Sequence, residues 1–471
     1  MITRSRLASL LLGFAATLGL AAAASGQTPP NIIYIVADDL GYADTGYTGS
    51  KTIETPALDA LAATGARLTD FYVQPMCTPT RAALMTGRYP LRYGLQTGVI
   101  PGAGLYGIPL DEQLLPQVLQ EAGYQTAMVG KWHLGHGSAD YWPMQRGFDS
   151  FYGALVGEID HFTHSSHGVP DWYRGNEPAT DEGYDNILFA DEAVKVIEGH
   201  DPSKPLFLYL AFTAPHTPYQ APEDWLARYP GIEDPNAKAY AAMVSIVDDG
   251  VARVVKALED KGMRDDTLIL FHSDNGGVTN SLFAGDSKVE GGLPASNAPL
   301  RDGKGTLYEG GTKVAAIANW PGHVKAEPVD GLIHVVDMLP TLASLAGAKP
   351  AGKPLDGRNV WPTIAEGAAS PRSEIVYNVD PLAGALRDGN WKLVWKAALP
   401  PKIELFDLLA DPSETTDQSA QNPDVVKRLQ ARVTELATQM APPLLILEAI
   451  RLTFYVPPVT GDPTILFGQG D

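Results

Sequence analysis

Short apolar runs that alternate with helical segments, and that each end in polar or ionisable residues, most constrain the fold of this chain. Residues 31–37 (NIIYIVA) form a nearly continuous β-branched run that ends in Asp38 and Asp39. A run that is apolar at successive positions is typical of a strand buried on both faces of a parallel sheet. Similar runs are predicted as strands at residues 126–130, 206–212 and 267–271.

Amphipathic segments separate these strands. The spacing of apolar residues, together with capping residues and prolines at the first turn, predicts helices at residues 55–65, 110–122, 185–198 and 237–261. This alternation indicates an α/β fold with a mostly parallel sheet flanked by helices. Ligands of such sheets bind beyond the carboxyl ends of the strands. We therefore expect the polar residues that follow the strands to meet at one edge.

The chain changes character near residue 371. Short strand signals separated by turns occur at residues 374–378, 391–395 and 404–407, and a helix is predicted at residues 425–440. With 471 residues, the chain is longer than one ordinary core requires. We expect a main catalytic domain at residues 27–370 and a smaller α+β domain with an antiparallel sheet at residues 371–471. The apolar segment 444–456 is expected to be core or interface.

The N-terminus has the pattern of a secretory signal peptide. Arg4 and Arg6 precede an apolar run at residues 7–20, and small residues follow at 21–26. We predict that residues 1–26 are removed and that the mature protein is periplasmic or secreted, the alternative being a retained membrane anchor. The net charge of −20 disfavours nucleic acid as a partner.

Two acidic pairs follow predicted strands. Asp38 and Asp39 follow the first strand, and Asp274 and Asn275 follow another. Carboxylate and amide oxygens are the ligands that Ca²⁺ and Mg²⁺ prefer. Each pair alone could instead cap a helix or form a turn. Two such pairs at strand ends favour a metal site.

Several cationic residues also follow strands or turns. Lys131, His133, His216 and Lys304 each admit a structural role when considered alone. A tetrahedral anionic transition state, however, needs cations around it. Together with a metal ion, these four side chains would supply the positive charge around such a transition state.

Cys77 is the only cysteine of the chain, so it has no partner for an intramolecular disulfide. Without its neighbours it would be read as a small buried hydrophobic residue. It begins the segment CTPTR at residues 77–81, which resembles the C-x-P-x-R signature of type I sulfatases, in which the cysteine is oxidised to formylglycine. The resemblance continues, in order, at Asp38-Asp39 and at residues 130–135 (GKWHLG), 274–277 (DNGG) and 300–311 (LRDGKGTLYEGG).

This resemblance implies an alkaline-phosphatase-like sheet and hydrolysis of sulfate monoesters. Within the family, the chain is most similar to the arylsulfatase B, or N-acetylgalactosamine 4-sulfatase, type. The stretches that carry this similarity are residues 146–153 (RGFDSFYG), 205–210 (PLFLYL) and 353–361 (KPLDGRNVW). Thr80, His272 and Lys313 depart from the commoner residues of the family, and none of them replaces a catalytic residue.

The resemblance also implies a role for each site residue. The metal, Ca²⁺ with Mg²⁺ as the alternative, would be held by Asp38, Asp39, residue 77, Asp274 and Asn275. Lys131, His216 and Lys304 would bind the sulfate oxygens, and Lys304 or His216 would protonate the leaving alcohol. Asp39 would accept the proton of the attacking hydroxyl of formylglycine hydrate. His133 would accept the proton of the second hydroxyl, and Arg81 would position the hydrate. A separate enzyme would have to oxidise Cys77.

The substrate is less constrained than the reaction. We expect aryl sulfates or sulfated sugars, of the N-acetylgalactosamine 4-sulfate type, with small sugars or chain ends favoured by the acidic surface. Residues 157–168 are predicted to line the leaving-group side through His161 and His164, the alternative being a solvated polar loop.

Two other functions remain open from the sequence. The first is a phosphate or phosphonate ester hydrolase of the alkaline phosphatase superfamily, although two-metal members have Asp-His where this chain has Asp274-Asn275. The second is a sulfated-glycan binder without catalysis, although every expected site position is filled.

Overall fold

The computed structural model describes residues 29–285, 289, 291–397 and 399–454. The signal peptide predicted at residues 1–26 lies outside the described residues. The strands are, in chain order, β1 (Asn31–Ala37), β2 (Ala66–Leu68), β3 (Phe71–Tyr72), β4 (Gln125–Gly130), β5 (Ser150–Gly153), β6 (Ser165–Ser166), β7 (Val169–Pro170), β8 (Tyr173–Arg174), β9 (Glu177–Pro178), β10 (Leu206–Ala211), β11 (Thr267–Ser273), β12 (Ala316–Asn319), β13 (Pro328–Val329), β14 (Ile333–His334), β15 (Glu374–Val379), β16 (Ala383–Asp388), β17 (Trp391–Lys396) and β18 (Lys402–Asp407).

The α-helices are α1 (Pro56–Thr64), α2 (Cys77–Thr86), α3 (Leu115–Glu121), α4 (Asp185–Gly199), α5 (Glu223–Leu226), α6 (Pro235–Asp260), α7 (Glu309–Thr312), α8 (Met338–Leu345), α9 (Trp361–Glu366), α10 (Pro423–Thr438) and α11 (Leu444–Phe454).

A ten-stranded sheet in the order β13-β2-β12-β11-β1-β10-β4-β5-β8-β9 forms the centre of the protein. The central strands β11, β1, β10, β4 and β5 are parallel to one another, and antiparallel strands join them at both sides. The predicted mostly parallel sheet is therefore confirmed. Its parallel centre brings the carboxyl ends of five strands side by side.

Helices cover both faces of this sheet. Ile32 and Val36 of β1 belong to a core that also contains residues of α2, α3 and α8. Ile33 and Ile35 belong to a second core, with residues of α1, α4 and α6. Successive side chains of a strand point to opposite faces, so β1 must be apolar throughout. This is the physical reason for its unbroken apolar sequence.

A second sheet, of order β15-β16-β17-β18, is antiparallel and packs against α10. Val376, Leu393 and Leu429 of this region share a core with one face of the large sheet. The small antiparallel sheet expected after residue 371 is thus present. Strand β16 was not predicted, because its sequence AGALRD contains no β-branched residue.

Three other elements differ from the sequence prediction. Helix α3 begins at Leu115 and not at residue 110, and Pro116 lies in its first turn, where proline favours a helix start. Helix α2, which starts at Cys77, was not predicted. The apolar segment at residue 444 is helix α11, and Ile446, Leu447, Ile450 and Leu452 are 37–54% exposed. Among the described residues, none of the helices is both long and apolar enough to cross a membrane.

Candidate active site

The predicted site residues meet at the carboxyl edge of the central strands. Strands β11, β1, β10 and β4 are parallel neighbours, and each is followed by ionisable or amide side chains. Asp274 and Asn275 follow β11, and Asp38 and Asp39 follow β1. His216 follows β10, and Lys131 and His133 follow β4. All of these side chains are buried. The expectation that they converge at one edge is confirmed.

Cys77 lies in the first turn of α2, where the backbone leaves an extended conformation at Met76. Its side chain is 1% exposed, and its Sγ donates to Asp38 Oδ1 at 3.4 Å. Burial, followed by the negative charges of Asp274 and Asp38, raises the pKa of the thiol well above its usual value. An unmodified Cys77 is therefore protonated at neutral pH and is a poor nucleophile.

Asp38 is an ionised carboxylate among cations. Lys131 Nζ pairs with Asp38 Oδ2, and Arg81 Nη2 lies 3.7 Å from the same oxygen. Burial opposes the charge of Asp38, but Lys131, His216 and Arg81 together hold its pKa below the usual value. The geometry thus concentrates both signs of charge next to Cys77.

Asp39 has a left-handed backbone (φ 65°), which is uncommon for a residue other than glycine. Its N–H donates to Asp274 Oδ1 at 3.2 Å, and its side chain accepts from Asn275 Nδ2 at 2.7 Å. Lys304 Nζ donates to Asp39 Oδ2 at 2.8 Å, and His216 Nε2 lies 3.6 Å from the same oxygen. These contacts hold a conformation that costs about 1–3 kcal/mol, and such strain is concentrated at functional sites.

Arg81 joins two strand ends from α2. Its Nε and Nη2 donate to Asp274 Oδ2 at 3.0 and 2.8 Å, and its Nη1 donates to the carbonyl of Lys131 at 3.0 Å. A planar guanidinium group can make these bonds together, whereas an ammonium group cannot. Arg81 therefore fixes Asp274 and the end of β4 relative to the helix that carries Cys77.

The site has donors that fit a hard divalent cation. Ligand atoms of Asp38, Asp39, Cys77 and His216 all lie within 4.8 Å of one another. Asn275 Oδ1 is buried and has no hydrogen-bond partner among the described residues. A buried acceptor without a partner is costly unless something outside the chain binds it. Two carboxylates and an amide oxygen suit Ca²⁺ or Mg²⁺.

The metal ligands predicted from the sequence are not all equally available. The structure brings Asp38, Asp39 and Cys77 together and adds His216, which was predicted as a sulfate ligand and proton donor and not as a metal ligand. Asp274 already accepts two bonds from Arg81 and one from the backbone of Asp39. Its contribution to a metal site remains a prediction.

His133 lines a cavity of about 180 Å³ together with Cys77, His216 and Lys304. Its Nε2 lies 3.1 Å from the carbonyl oxygen of Ile100, so Nε2 carries the proton. Its Nδ1 is buried without a hydrogen-bond partner among the described residues. Burial, followed by the charges of Lys131 and Arg81, lowers the pKa of His133 well below its usual value. His133 is thus a neutral base with an available nitrogen.

The sequence prediction missed much of the cavity wall. Residues 99–102, Val156 and Phe283 line the same cavity as Cys77. Apart from the Pro-Gly turn within residues 99–102, nothing in these apolar positions indicates a site. Thr78 was also missed: its hydroxyl donates to the carbonyl of His133 at 3.1 Å and accepts from the N–H of Ile100 at 3.1 Å.

His161 and His164 are not brought onto the wall of this cavity. The Nδ1 of His161 lies 2.9 Å from Asp185 Oδ2, and its Nε2 lies 3.2 Å from the carbonyl oxygen of His216. His164 stacks on Trp172 with ring centroids 4.0 Å apart. Both rings are buried in contacts within the protein. These contacts support a structural role for the two histidines and give no support to direct substrate binding.

Comparison with known proteins agrees with this geometry. The model of the sulfatase family matches residues 30–348. Arylsulfatase J of Mus musculus is 37% identical, and the match covers 89% of this chain and 78% of that protein. N-acetylgalactosamine-6-sulfatase of Homo sapiens is 34% identical over 389 residues, which cover 78% of this chain and 72% of that protein.

A solved structure shows the same fold. The crystal structure of Ps i-CgsB in complex with k-i-k-neocarrahexaose superposes with a TM-score of 0.80 at 34% identity, covering 90% of this chain and 98% of that one. This match covers nine-tenths of the chain and therefore extends well beyond the motif at Cys77. From the converging site residues and these similarities, we conclude that the chain belongs to the sulfatase family, whose members hydrolyse sulfate esters.

Proposed function

We propose that this sulfatase acts through a formylglycine made from Cys77, with a divalent cation bound beside it. One observation carries the proposal: Cys77 lies at the wall of a cavity, against Asp38, with Lys304 and His216 on the same wall. A buried, protonated thiol has no evident chemical use in such a surrounding. The same position is well suited to an oxidised cysteine.

The absent groups would supply a defined chemistry. A formylglycine hydrate offers one hydroxyl for attack on sulfur and a second whose deprotonation releases sulfate, and a divalent cation would acidify the first hydroxyl and draw charge from the sulfate oxygens. Asp38, Asp39 and Asn275 would hold the cation, with Asp274 or His216 completing the set. The oxygen-rich set favours Ca²⁺, with Mg²⁺ as the alternative.

The two lysines serve the sulfate group. Lys131 and Lys304 are buried and paired with Asp38 and Asp39, respectively. Burial lowers the pKa of Lys304, but the nearby Asp39 carboxylate and other negative groups raise it above its usual value overall. Lys304 therefore stays cationic over the working pH range. A fixed cation next to the nucleophile stabilises the charge that develops on the sulfate oxygens.

Proton transfers fall to the histidines and to Asp39. Neutral His133, whose Nδ1 has no partner within the described residues, accepts the proton that must leave the second hydroxyl. His216 or Lys304 protonates the leaving oxygen, since both line the cavity. Asp39 receives the proton of the attacking hydroxyl. Arg81, which holds Asp274 and the end of β4, maintains the positions of these groups.

The proposed substrates are aryl sulfates and small or terminal sulfated sugars. One relative is named for N-acetylgalactosamine 6-sulfate, and the structure of Ps i-CgsB holds a neocarrahexaose. N-acetylgalactosamine 4-sulfate, favoured by the sequence resemblance, belongs in the first set of test compounds. We further propose a periplasmic or secreted protein that a separate oxidising enzyme converts at Cys77.

Mass spectrometry of the peptide containing residue 77, prepared from the native host, tests the nucleophile. We expect the mass of formylglycine, and an active preparation that holds only unmodified thiol contradicts the proposal. The same preparation should have a higher kcat/KM for aryl sulfates than for aryl phosphates. A preference of about tenfold for phosphate, equivalent to about 1.4 kcal/mol, would favour the phosphate or phosphonate hydrolase. Binding without turnover in a formylglycine-containing preparation would favour the non-catalytic glycan binder.

A further inference from the structure

A second cavity, of about 340 Å³, adjoins the cavity that contains Cys77. The two cavities share Glu158 and Ser166 in their linings, so they lie next to each other. We call the second one the outer cavity. One of its walls is the hairpin of residues 157–170, here called the specificity hairpin, and the other is formed by Pro218 and Gln220, which follow the sulfate-binding residue His216. A substrate held by its sulfate in the inner cavity would extend its leaving group here.

Buried histidines hold the specificity hairpin in place. His161 connects it to Asp185 of α4 and to the backbone of His216. His164 stacks on Trp172. The outer cavity is therefore preformed and does not require ordering of a mobile loop on binding, which favours its use as a binding site.

The two cavities differ in charge. Lys304, His133 and His216 line the inner cavity, where the sulfate would bind. Asp160 lines the outer cavity alone, Glu158 lines both cavities at their junction, and neither Lys nor Arg lines the outer cavity among the described residues. A ligand that fits both cavities is anionic at one end and uncharged at the other.

Asp160 keeps its charge at neutral pH. Burial opposes ionisation, but hydrogen bonds from Gln220 Nε2 at 2.8 Å and from the N–H groups of Thr163 and Phe162 at 2.7 and 3.0 Å hold its pKa below the usual value. These bonds also shape the turn of the hairpin. Asp160 thus contributes negative charge, while its hydrogen-bonding capacity is used within the protein.

Glu158 lies at the junction of the cavities. A Cβ atom built on Gly285 would lie 2.2 Å from Glu158 Oε2 and 2.9 Å from His216 Cε1, so the two side chains approach the same point. Gly285 has a φ of 90°, and no other residue would fit there without displacing one of them. The carboxylate of Glu158 would therefore lie beside the first atoms of a leaving group whose sulfate is bound near His216.

We infer that the outer cavity is a leaving-group subsite for one uncharged, hydroxyl-rich ring, such as a hexose or an N-acetylhexosamine, and that Glu158 discriminates against a second anionic group on that ring. This inference rests on the proposed sulfatase function. A carboxylate accepts hydrogen bonds from sugar hydroxyls. The same carboxylate repels a second sulfate or a uronate carboxylate, and like-charge contacts of this kind reduce binding of the wrong partner.

The role of the Glu158 charge is tested by the ratio of the kcat/KM values for two substrates. The first substrate is the fastest-cleaved among the 4- and 6-sulfates of galactose and N-acetylgalactosamine, and the second is the 4,6-disulfate of the same sugar. We expect the wild type to prefer the monosulfate by about tenfold in kcat/KM, and Glu158→Gln to reduce that preference by about threefold or more. The matched control Glu177→Gln, an exposed residue of the neighbouring β9 strand, should leave the ratio unchanged. A folded Glu158→Gln enzyme with the wild-type ratio overturns the inference.

The location of the subsite is tested by filling it. Thr163 lines the outer cavity and not the inner one, and it is exposed. Thr163→Trp should lower kcat/KM for the sugar monosulfate by about tenfold more than kcat/KM for 4-nitrophenyl sulfate, whose leaving group is smaller and has no sugar hydroxyls. Equal effects on the two substrates would place the sugar elsewhere.

The assay with 4-nitrophenyl sulfate separates this inference from the proposed function. Turnover of 4-nitrophenyl sulfate without turnover of any of the four sugar monosulfates leaves the sulfatase proposal intact and overturns the subsite. Absence of turnover of every sulfate ester by a formylglycine-containing preparation would contradict the proposed function itself.

Discussion

Asp171 shows how a single buried carboxylate shapes the wall of the site. Its Oδ2 accepts the N–H groups of Leu155 at 2.9 Å and of Val156 at 2.8 Å, and Val156 lines the inner cavity. Burial raises the pKa of Asp171 to about 6, although these two hydrogen bonds oppose the rise. The protein therefore keeps a carboxylate that is costly to ionise in the folded state.

Substitution Asp171→Asn should change how stability depends on pH. Between pH 3.8 and about 6 the folded wild type binds more protons at this residue than the unfolded chain, so its free energy of unfolding falls as the pH rises. The loss amounts to roughly 3 kcal/mol over this window. Asn retains an oxygen for the two N–H groups and does not titrate, so the variant should lack this decrease.

Urea unfolding at about pH 4 and about pH 7.5 measures the difference. The exposed Asp330→Asn is the control and should follow the wild-type pH dependence. A wild type and an Asp171→Asn variant that lose equal stability between the two pH values would show that Asp171 ionises as easily as in the unfolded chain.

At the scale of single residues, the sequence predicted which polar side chains meet at the sheet edge better than it predicted the residues that surround them. Asp38, Lys131 and Cys77 could be identified because strand ends and local motifs carry them. Ile100 could not, because its role is to offer a carbonyl oxygen to His133, which any residue can do. His161 was identified as polar and near the site, but its partner Asp185 is distant in sequence and only the fold shows that the ring is occupied.

At the scale of elements, a buried ion cluster connects the C-terminal sheet to helix α7. Lys392 of β17 lies 2.9 Å from Glu309 Oε1 in α7 and 2.8 Å from Glu414 Oε1. Tyr377 of β15 donates to Glu309 Oε1 at 2.6 Å. Burial opposes the charge of Glu309, but Lys392 and other partners lower its pKa to about 2. Since Glu309 follows Lys304 closely in sequence, this cluster ties the C-terminal sheet to the active-site segment.

Substitution Lys392→Met should strongly destabilise the protein. It leaves Glu309 and Glu414 buried together without their cation, and removing one partner of a buried ion pair typically costs about 3–5 kcal/mol. Lys402→Met is the matched control, because Lys402 is a more exposed lysine on the next strand, 3.0 Å from Glu404. Its loss should cost about 1 kcal/mol or less. Chemical unfolding of both variants decides the matter, and equal losses would mean that the buried cluster has no special weight.

The predicted elements were those whose apolar pattern is set by burial alone. Strands β1 and β10 lie in the middle of the sheet, so their sequences are apolar throughout and easily recognised. Helix α2 was not predicted, because all of its positions are buried, including the polar and charged ones such as Arg81, so its sequence has no amphipathic pattern.

At the scale of the whole molecule, the C-terminal helix α11 is hydrogen-bonded to the loop of residues 94–105, which lies beside Cys77. The N–H of Leu444 donates to the carbonyl of Gly94 at 2.8 Å, and Glu448 Oε1 accepts the N–H of Leu105 at 3.2 Å. Residues 99–102, between these two attachments, line the inner cavity and hold His133 through Ile100. Regions more than 300 residues apart in the chain, such as Leu105 and Glu448, therefore cooperate in one site.

Substitution Glu448→Ala should loosen this loop. We expect kcat/KM for an aryl sulfate to fall by about fivefold, equivalent to about 1 kcal/mol, and the amides of the loop to exchange faster with deuterium. The control is Glu435→Ala on α10. It removes a similar ion pair, with Arg432 three residues away, and within the described part of the chain the Glu435 side chain makes no hydrogen bond to residues 94–105. Unchanged exchange of the loop in Glu448→Ala would show that other contacts hold it.

If Cys77 is converted as proposed, its depth would also govern when the enzyme becomes active. Every residue of α2 is buried, so a second protein has no access to the thiol once the helix is in place. The proposed oxidation must therefore occur before α2 has folded. A chain that folds first would keep its thiol. The proportion of working enzyme would then be decided during synthesis and export, and a later supply of the oxidising protein would not rescue molecules that are already folded.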